Sequence, residues 1–495
     1  MLMTLFSSRG WESWDVAHRP VVPEGMPVLV DEDLRFDDGG VPRPVTAVNR
    51  WLRELPASGC ASPRSWVTYG RVLRDWLEFT GSRGVGLFDT RERLKEVLGA
   101  YAAYRSCGPA GSRFAASTWA QHVSVLGSFY RWAVAEGHAA AEPFTYRQAR
   151  GVYGGERMVN LAVRRRPKPH VTIKYLEPDF ASMFVRALAG QRPDGSQEDR
   201  CRGRELARNA AVGRLVLATG LRLQEFTWLL AAEIPPLPEM PCSTPVPFPV
   251  PEGIAKGRKF RTTWISYEAL VEVHCYLELT RPLSVTGSAW RPARGEPLLV
   301  TEPGPAGGKI NGTRVRWAEL RPAERARLVA PDGGSMLLAV RGDGGPFSAW
   351  SSVFARTSQR IRDWYEPRFP HVHPHRLRHS FAIQTLERLV GGHYTQAAQL
   401  AAEAGQDGAL ALYLSKADPM MVLRDLLGHS SVLTTEKYLR RMDMARIYRE
   451  ARERAGHGIG HGIGVGYGVG RRVGRSGHGI DTTDTTGAAV GAVSA

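Results

Sequence analysis

The sequence predicts a mainly α-helical fold with a small β-sheet, of the α+β class. Apolar residues recur at helical spacing through much of the chain, and this periodicity is the main sequence signal of amphipathic helices. One stretch near residue 260 alternates in the manner of a β-strand. At 495 residues the chain also exceeds what one hydrophobic core usually supports, so two or three domains are expected.

The first 150 residues are predicted to contain an extension and a helical domain. Residues 1–41 carry scattered Pro, Gly and acidic residues, which indicates an extension of uncertain order. In residues 42–150, Ser62 and Pro63 fit the start of one helix, and a second helix is predicted to begin near Ser117. The apolar stripes of these two helices are Trp66, Tyr69, Leu73, Trp76 and Leu77, and Trp119, Val123, Leu126, Tyr130 and Val134. We expect the stripes to form a core and not a platform for stacking nucleic-acid bases.

The remaining residues are predicted to form a linker, a large mixed domain and a tail. Residues 151–175 include the basic, proline-interrupted segment RRRPKPH, which is typical of a linker. Residues 176–455 form the mixed domain. Within it GIAKGRKFRTTWIS is predicted to be a hairpin, and the preceding PPLPEMPCSTPVPFPVPEG is predicted to be an irregular loop insertion. Residues 456–495 are Gly-rich and of low complexity, so we expect a disordered tail.

Composition favours a polyanionic partner and argues against a membrane protein. The 65 Lys and Arg residues outnumber the 49 Asp and Glu residues, which gives a formal net charge of +16. Such an excess suits nucleic acid, whose condensed counterions are released when basic side chains neutralise phosphates. No run of 18 or more apolar residues occurs. The 5 widely spaced cysteines lack a CxxC pair, which is typical of reduced thiols in a cytoplasm.

The stretch HVHPHRLRHSFA, residues 371–382, places four histidines and two arginines around one proline. Pro374 fits the first turn of a helix. At about 100° per residue, His375, Arg378 and His379 then fall within one arc, opposite an apolar face. The segment therefore predicts a helix that buries one side and presents imidazole and guanidinium groups on the other.

Two further helix boundaries have the same character. In LATGLRLQEFTWLL a helix is predicted to stop at Gly220, and Arg222 lies in the first turn of the next. In ADPMMVLRDLLGHSSVLTTEKYLRRM a helix is predicted to stop at Gly428, with His429 directly after it. A short segment carrying Tyr438 follows. Each boundary is predicted to expose a polar group suited to binding phosphate.

Taken in order, the motifs TGLRLQE, AKGRK, HPHRLRHSFA and LGHSSVLTTEKYL resemble those of the tyrosine recombinase (phage integrase) family. His375 lies three residues before Arg378, and His429 lies nine residues before Tyr438, as the family pattern requires. The resemblance covers residues 42–450. It implies a helical core-binding domain followed by a tyrosine recombinase catalytic domain, which is longer than in compact members of the family because of insertions near 231–252, 280–350 and 391–419.

The resemblance implies a catalytic set of six residues, Arg222, Lys256, His375, Arg378, His429 and Tyr438. Tyr438 is then the nucleophile, which attacks a DNA phosphodiester to give a 3′-phosphotyrosine and a free 5′-hydroxyl. Arg222 and Arg378 hold the non-bridging oxygens, for which a planar guanidinium fork has the right shape.

The other three residues of the implied set handle protons and the phosphate. Lys256 protonates the leaving 5′ oxygen, with Lys259 as the alternative lysine, because a turn can shift by a residue or two. His375 assists proton movement at the nucleophile, and His429 hydrogen-bonds the phosphate. The covalent intermediate conserves the energy of the phosphodiester bond, so neither a cofactor nor a metal is implied.

The function implied is site-specific DNA recombination, with integration or excision of a mobile element favoured. The expected partners are double-stranded DNA with a specific recombination site, three further copies of the chain in a homotetramer on two sites, and an accessory DNA-bending factor as an optional addition. The expected location is the cytoplasm, in association with the nucleoid.

Several alternatives remain open at this point. One is a DNA-binding protein without cleavage activity, and another is strand cleavage and rejoining of the type IB topoisomerase kind. His371 and His373 match the His-hydrophobe-His pattern of metal-dependent nickases, although loop residues are the favoured interpretation. His375 and His379 are spaced for zinc, but no third ligand is evident, so we expect His379 to support its helix by hydrogen bonding.

Overall fold

The computed structural model describes most of the chain and divides it into two compact units. The described residues are 1–8, 21–150, 156–163, 174–241, 245–293, 295–404 and 418–430, together with Thr435, Tyr438 and Ile447. The units are Met1–His170 and Val171–Ala495. Helices dominate both, which confirms the mainly α fold with small sheets. The basic segment RRRPKPH and the Gly-rich tail lie outside the described residues.

Four α-helices are described in the N-terminal unit. They are α1 (Pro44–Glu54), α2 (Pro63–Gly81), α3 (Arg91–Cys107) and α4 (Ala116–Ala135). The predicted aromatic stripes form the core: Trp76 and Trp119 are fully buried, and the indole N–H of Trp76 donates to the Tyr130 hydroxyl at 2.9 Å. Val134, predicted to continue the stripe of α4, is exposed, since it belongs to the last turn before the chain leaves the helix. The core interpretation is therefore confirmed.

Short strands complete the N-terminal unit. They are β1 (Leu2–Leu5), β2 (Pro27–Val30), β3 (Asp37–Asp38), β4 (Val41–Pro42), β5 (Tyr146–Arg150) and β6 (Glu156–Asn160), each paired antiparallel with its neighbour in sequence. The segment expected to be an extension of uncertain order contributes Met26 and Leu29 to the core. The Asn49 side chain of α1 bonds both the N–H and the C=O of Leu29, at 2.8 and 2.7 Å. The described parts of this segment, residues 1–8 and 21–41, therefore belong to the folded unit.

Nine helices are described in the C-terminal unit. They are α5 (Pro178–Leu188), α6 (Leu206–Thr219), α7 (Leu223–Thr227), α8 (Tyr267–Cys275), α9 (Pro282–Val285), α10 (Pro322–Arg325), α11 (Trp350–Trp364), α12 (Pro374–Ala404) and α13 (Pro419–Leu427), with a π-helical turn at Tyr276–Thr280. Helix α6 runs through the core and packs against α5, α8 and α12. No described helix is long and apolar enough to span a membrane.

The turn and the second strand of the predicted hairpin are present, but its first strand lies in the proline-rich stretch before the predicted segment. Strand β7 (Val246–Val250) pairs antiparallel with β8 (Arg261–Ile265). The expectation that the proline-rich stretch is entirely irregular is therefore wrong. Pro247 and Pro249 are exposed in this two-stranded sheet, whereas Phe248 and Val250 are buried. An edge strand tolerates the loss of the proline N–H groups.

The insertion between α9 and α11 forms a second, smaller layer with its own core. Its strands are β9 (Leu298–Thr301), β10 (Gly307–Ile310), β11 (Thr313–Arg316) and β12 (Leu328–Val329), in the order β11-β10-β9-β12 with only the β9–β12 pair parallel. Trp317 and Leu337 lie in the separate core. The fully buried Arg325 binds the carboxylate of Glu233 at 2.6 and 2.7 Å and anchors this layer.

Candidate active site

A left-handed turn between α6 and α7 brings Arg222 to the site. Gly220 ends α6 with φ = 65°, a backbone conformation that favours glycine. A Cβ at this position would lie 2.3 Å from the ring of Phe381 on α12, so no side chain fits there. Arg222 follows as the N-cap residue of α7. The sequence TGLR therefore fixes the position of the first arginine relative to α12.

Arg222 is held by Glu225 and by the end of α13. Its Nη1 donates to Oε1 of Glu225 at 3.0 Å, and its backbone N–H donates to Oε2 of the same carboxylate at 2.8 Å. Its Nη2 donates to the carbonyl oxygens of Leu427 and Gly428, both at 3.2 Å. The guanidinium therefore joins the first motif of the chain to the C-terminal end of α13, the helix Pro419–Leu427.

Arg378 meets Arg222 at the same helix end. Its side chain is 2% exposed, and its Nη1 and Nη2 donate to the carbonyl oxygens of Gly220 and Leu427, each at 2.5 Å. Burial lowers the pKa of this guanidinium to about 9, and the nearby charge of Arg222 acts in the same direction. The charge of Glu225 acts in the opposite direction, and a bound phosphate would add further negative charge beside this buried cation.

Glu225 and Arg261 form a buried ion pair behind the two arginines. Arg261 donates to both carboxylate oxygens of Glu225, at 2.8 and 2.6 Å, and to the carbonyl oxygen of Leu426. Burial alone would raise the pKa of Glu225, but the hydrogen bonds and charge of Arg261, with the charge of Arg222, lower it to about 2. The sequence analysis did not single out Arg261. Its signal was the inward position on β8, where a charged residue needs a partner.

Tyr438 lies with its ring in an apolar cluster and its hydroxyl at the histidines. It is 1% exposed and packs in the cluster that contains Phe381 and Leu427. Its hydroxyl lies 2.9 Å from Nδ1 of His379. Burial raises the pKa of this phenol to about 12, although the positive charges of Arg378 and Arg222 act to lower it. The protonated phenol is therefore the stable form at neutral pH, and deprotonation needs an acceptor.

His379 contacts this hydroxyl, His375 lies beside His379, and His429 lies beside the Tyr438 ring. The ring centroids of His375 and His379 lie 4.4 Å apart on consecutive turns of α12. The His429 ring lies nearly parallel to that of Tyr438, with 6.5 Å between centroids, and its Nδ1 is 2.9 Å from Oγ1 of Thr435. His379, which was expected to support its helix, thus contacts the Tyr438 hydroxyl. The i, i+4 spacing from His375 was the signal that these two rings share one face.

A cavity of about 260 Å³ opens beside these groups. It is lined by Leu221, Arg222, Leu223, Ser351, His373, Pro374, His375 and Arg378. His371 and His373 lie in the loop before α12 as predicted. Of the two only His373 lines the cavity, and burial lowers its pKa, with the charges of Arg376 and His371 acting in the same direction. Two arginines and two histidines around one small cavity can bind a tetrahedral anion.

The lysines are placed apart from this cavity wall. Lys256 begins a single 3₁₀ turn, Lys256–Arg258, in the loop that joins β7 to β8, and Lys259 follows that turn. Both side chains are exposed, and neither is among the residues that line the cavity. Of the six predicted residues, the structure therefore brings Arg222, His375 and Arg378 to the cavity. Tyr438 and His429 lie beside one another, and the lysine lies on a separate exposed turn.

Comparison with known proteins identifies the N-terminal unit. Residues 48–137 match the family model of the phage integrase N-terminal SAM-like domain, which confirms the predicted resemblance for that part of the chain. No curated protein sequence matches the chain.

Several solved structures of recombinases are similar to this chain. The crystal structure of XerA recombinase is 16% identical, covers 83% of this chain and 98% of its own, and has a TM-score of 0.32. XerH site-specific recombinase bound to palindromic difH substrate is 14% identical, with coverages of 82% and 84% and a TM-score of 0.43. A lambda integrase dimer bound to a COC′ core site is 15% identical, with coverages of 81% and 96% and a TM-score of 0.40. Because these identities and TM-scores are low, the assignment of residues 48–137 rests on the family model alone.

Proposed function

We propose, from the phage integrase domain at residues 48–137 and the cluster around Tyr438, that this chain is a site-specific DNA recombinase. The observation that carries the proposal is that the buried Tyr438 hydroxyl lies 2.9 Å from Nδ1 of His379 on α12, the helix whose Arg378 shares the carbonyl oxygen of Leu427 with Arg222. The two arginines are adjacent because both donate to the same carbonyl oxygen, that of Leu427. Such a cluster suits phosphoryl transfer to tyrosine.

In this proposal Tyr438 attacks a DNA phosphodiester. Its Oη forms a bond to phosphorus, the bond from phosphorus to O5′ breaks, and a 3′-phosphotyrosine remains on the protein. Arg222 and Arg378 bind the non-bridging oxygens, where negative charge increases in the transition state. Their contacts with Gly220 and Leu427 already fix the guanidinium planes, so little reorganisation is needed when phosphate binds.

Lys256 is proposed to give a proton to the leaving O5′, and His429 to hydrogen-bond the phosphate. The exposed turn that carries Lys256 suits a residue that reaches its position on bound DNA. His375, which lines the cavity, assists proton movement. Rejoining reverses these steps with a 5′-hydroxyl from another strand. The phosphotyrosine preserves the bond energy between the two steps, so no nucleotide cofactor or metal takes part.

The proposed partner is double-stranded DNA that carries a specific recombination site. A net charge of +16 supports binding to a polyanion, and the phage integrase domain supports a mobile element as the source of the site. Recombination needs four strand exchanges on two sites, so a homotetramer is the proposed assembly, with an accessory DNA-bending factor as an optional addition. Action at the nucleoid follows from this partner.

Trapping of a covalent protein-DNA adduct tests the proposal. Nicked duplexes from the DNA that flanks the gene are incubated with the wild-type protein and with Tyr438→Phe, each with and without EDTA, and resolved on denaturing gels. The wild type is expected to give an EDTA-resistant adduct. Tyr438→Phe is expected to give none while still binding DNA, because the substitution removes one hydroxyl and no charge. An adduct formed equally by the variant would overturn the assignment.

The same gels separate the alternative functions. An adduct that needs metal and survives in Tyr438→Phe supports the nickase reading of His371 and His373. A Tyr438-dependent adduct on any duplex, with relaxation of supercoils and no exchange between two sites, supports type IB topoisomerase-like activity. Binding of flanking DNA without adduct by either protein supports a DNA-binding protein.

A further inference from the structure

The hydrogen bond between Tyr438 and His379 assigns a role outside the six predicted residues. The hydroxyl of Tyr438 is the group that must lose a proton before or during attack, and the atom 2.9 Å from it is Nδ1 of His379. This distance is within the range from which a base takes a proton directly. His379 is partly buried and is held by α12, the helix that also carries Arg378.

We propose that His379 is the residue that accepts the Tyr438 proton during cleavage and returns it during rejoining. This inference rests on the function proposed above. As the Oη–phosphorus bond forms, the hydroxyl proton passes to Nδ1 of His379, and the O5′ that leaves takes its proton from the lysine. In the reverse step a 5′-hydroxyl forms the bond from O5′ to phosphorus and gives its proton to the lysine, while the bond from phosphorus to Oη breaks and Nδ1 gives its proton back to Oη. The imidazole is unchanged after one complete cycle.

The surroundings of Tyr438 make such an acceptor necessary. Burial raises the pKa of the phenol to about 12, so very little phenolate exists at neutral pH. Arg222 and Arg378 lower this pKa but do not cancel the effect of burial. To accept the phenol proton on Nδ1, His379 must be in the neutral tautomer that carries its own proton on Nε2.

The positively charged groups near the pair destabilise an imidazolium on His379, so the protonated ring is expected to be short-lived. The titratable and charged groups near the pair, within the described residues, are His375 on α12, His429 after α13, and Arg222 and Arg378. His375 lies 4.4 Å from His379 between ring centroids and also lines the cavity. The direct acceptor is therefore His379, and His375 is a second imidazole beside it that also lines the cavity, where the phosphate is proposed to bind.

Chemical rescue distinguishes proton transfer from support of the fold. Single-turnover adduct formation on the nicked duplex is measured for the wild type and His379→Gln, with Tyr438 either natural or replaced by 3,5-difluorotyrosine. His379→Gln keeps a hydrogen-bond acceptor but not a base, and we expect its rate to fall about a hundredfold. Difluorotyrosine ionises at a lower pH, so it is expected to restore most of the lost rate. A bridging 5′-phosphorothiolate, which needs no proton on the leaving group, is expected not to restore it.

The controls separate the outcomes. His371→Gln changes an exposed histidine in the loop before the same helix and is expected to leave the rate unchanged. An unchanged rate in His379→Gln overturns the inference and leaves the recombinase proposal intact. A loss that difluorotyrosine does not restore, or that accompanies weaker DNA binding, assigns His379 a structural role and also overturns it. Absence of any adduct with the wild type overturns the proposed function and this inference together.

Discussion

Replacement of Glu225 by glutamine is expected to destabilise the C-terminal unit in a pH-dependent way. Glu225 lies between two guanidinium groups: Arg261 donates to both of its oxygens and Arg222 to one of them. The variant keeps the size of the side chain and removes its charge. Arg261, with a side chain 8% exposed, then becomes a buried cation without a counter-ion.

The magnitude follows from the pKa. A fall of the carboxyl pKa from its ordinary 4.5 to about 2 corresponds to about 3 kcal/mol in favour of the ionised folded form, at about 1.4 kcal/mol per pH unit. Because the folded pKa is the lower one, this stability is fully present above the unfolded value and is lost as the pH falls towards the folded value. The difference between wild type and variant is therefore about 3 kcal/mol near neutral pH and roughly 2 kcal/mol at about pH 3.5.

The free energy of unfolding can be read from the urea dependence of amide hydrogen exchange in α6 and β8, so that the N-terminal unit does not contribute. Glu319→Gln is the matched control, since its partner Arg316 is largely exposed and such surface pairs contribute little. A Glu225→Gln variant as stable as the wild type near neutral pH would refute the reasoning. A difference that stays constant down to about pH 3.5 would refute it as well, since the carboxyl would not then be the titrating group.

Two further predictions concern the proposed chemistry. Arg378→Ala is expected to slow single-turnover cleavage by about a hundredfold. Arg378→Lys should not restore the rate, because one ammonium cannot reproduce the two donations to Gly220 and Leu427. Equal rates for the wild type and Arg378→Lys would contradict this prediction. Lys256→Ala is expected to lose cleavage of ordinary DNA and to regain it on a bridging 5′-phosphorothiolate, whereas Lys259→Ala should behave as wild type. The opposite pattern would assign protonation of the leaving O5′ to Lys259.

Helix boundaries were the part of the fold best predicted from the sequence. Pro63 and Pro374 begin α2 and α12, and Gly220 and Gly428 end α6 and α13 in left-handed conformations. These boundaries depend on local backbone conformation, which proline and glycine residues indicate directly in a single sequence. The positions of Arg222, Arg378 and His429 relative to their helices followed from the same boundaries.

Features that depend on pairing between distant segments were predicted less well. The strand at Val246–Val250 was missed because its prolines are tolerated only on the open side of a two-stranded sheet. The N-terminal strands gain their order from α1 and α2, which the local sequence does not reveal. The pairing of His379 with Tyr438 joins residues 59 positions apart, and no spacing rule within one helix predicts such a contact.

The carbonyl oxygen of Leu427 has a consequence for the synthesis of the chain. It accepts hydrogen bonds from Arg222 and Arg378, so the two guanidinium groups that are proposed to bind phosphate reach their final positions only after α13 has left the ribosome and docked. Tyr438 emerges later still. We therefore expect a chain that ends upstream of α13 to form no covalent adduct with DNA, because it lacks both this carbonyl oxygen and Tyr438.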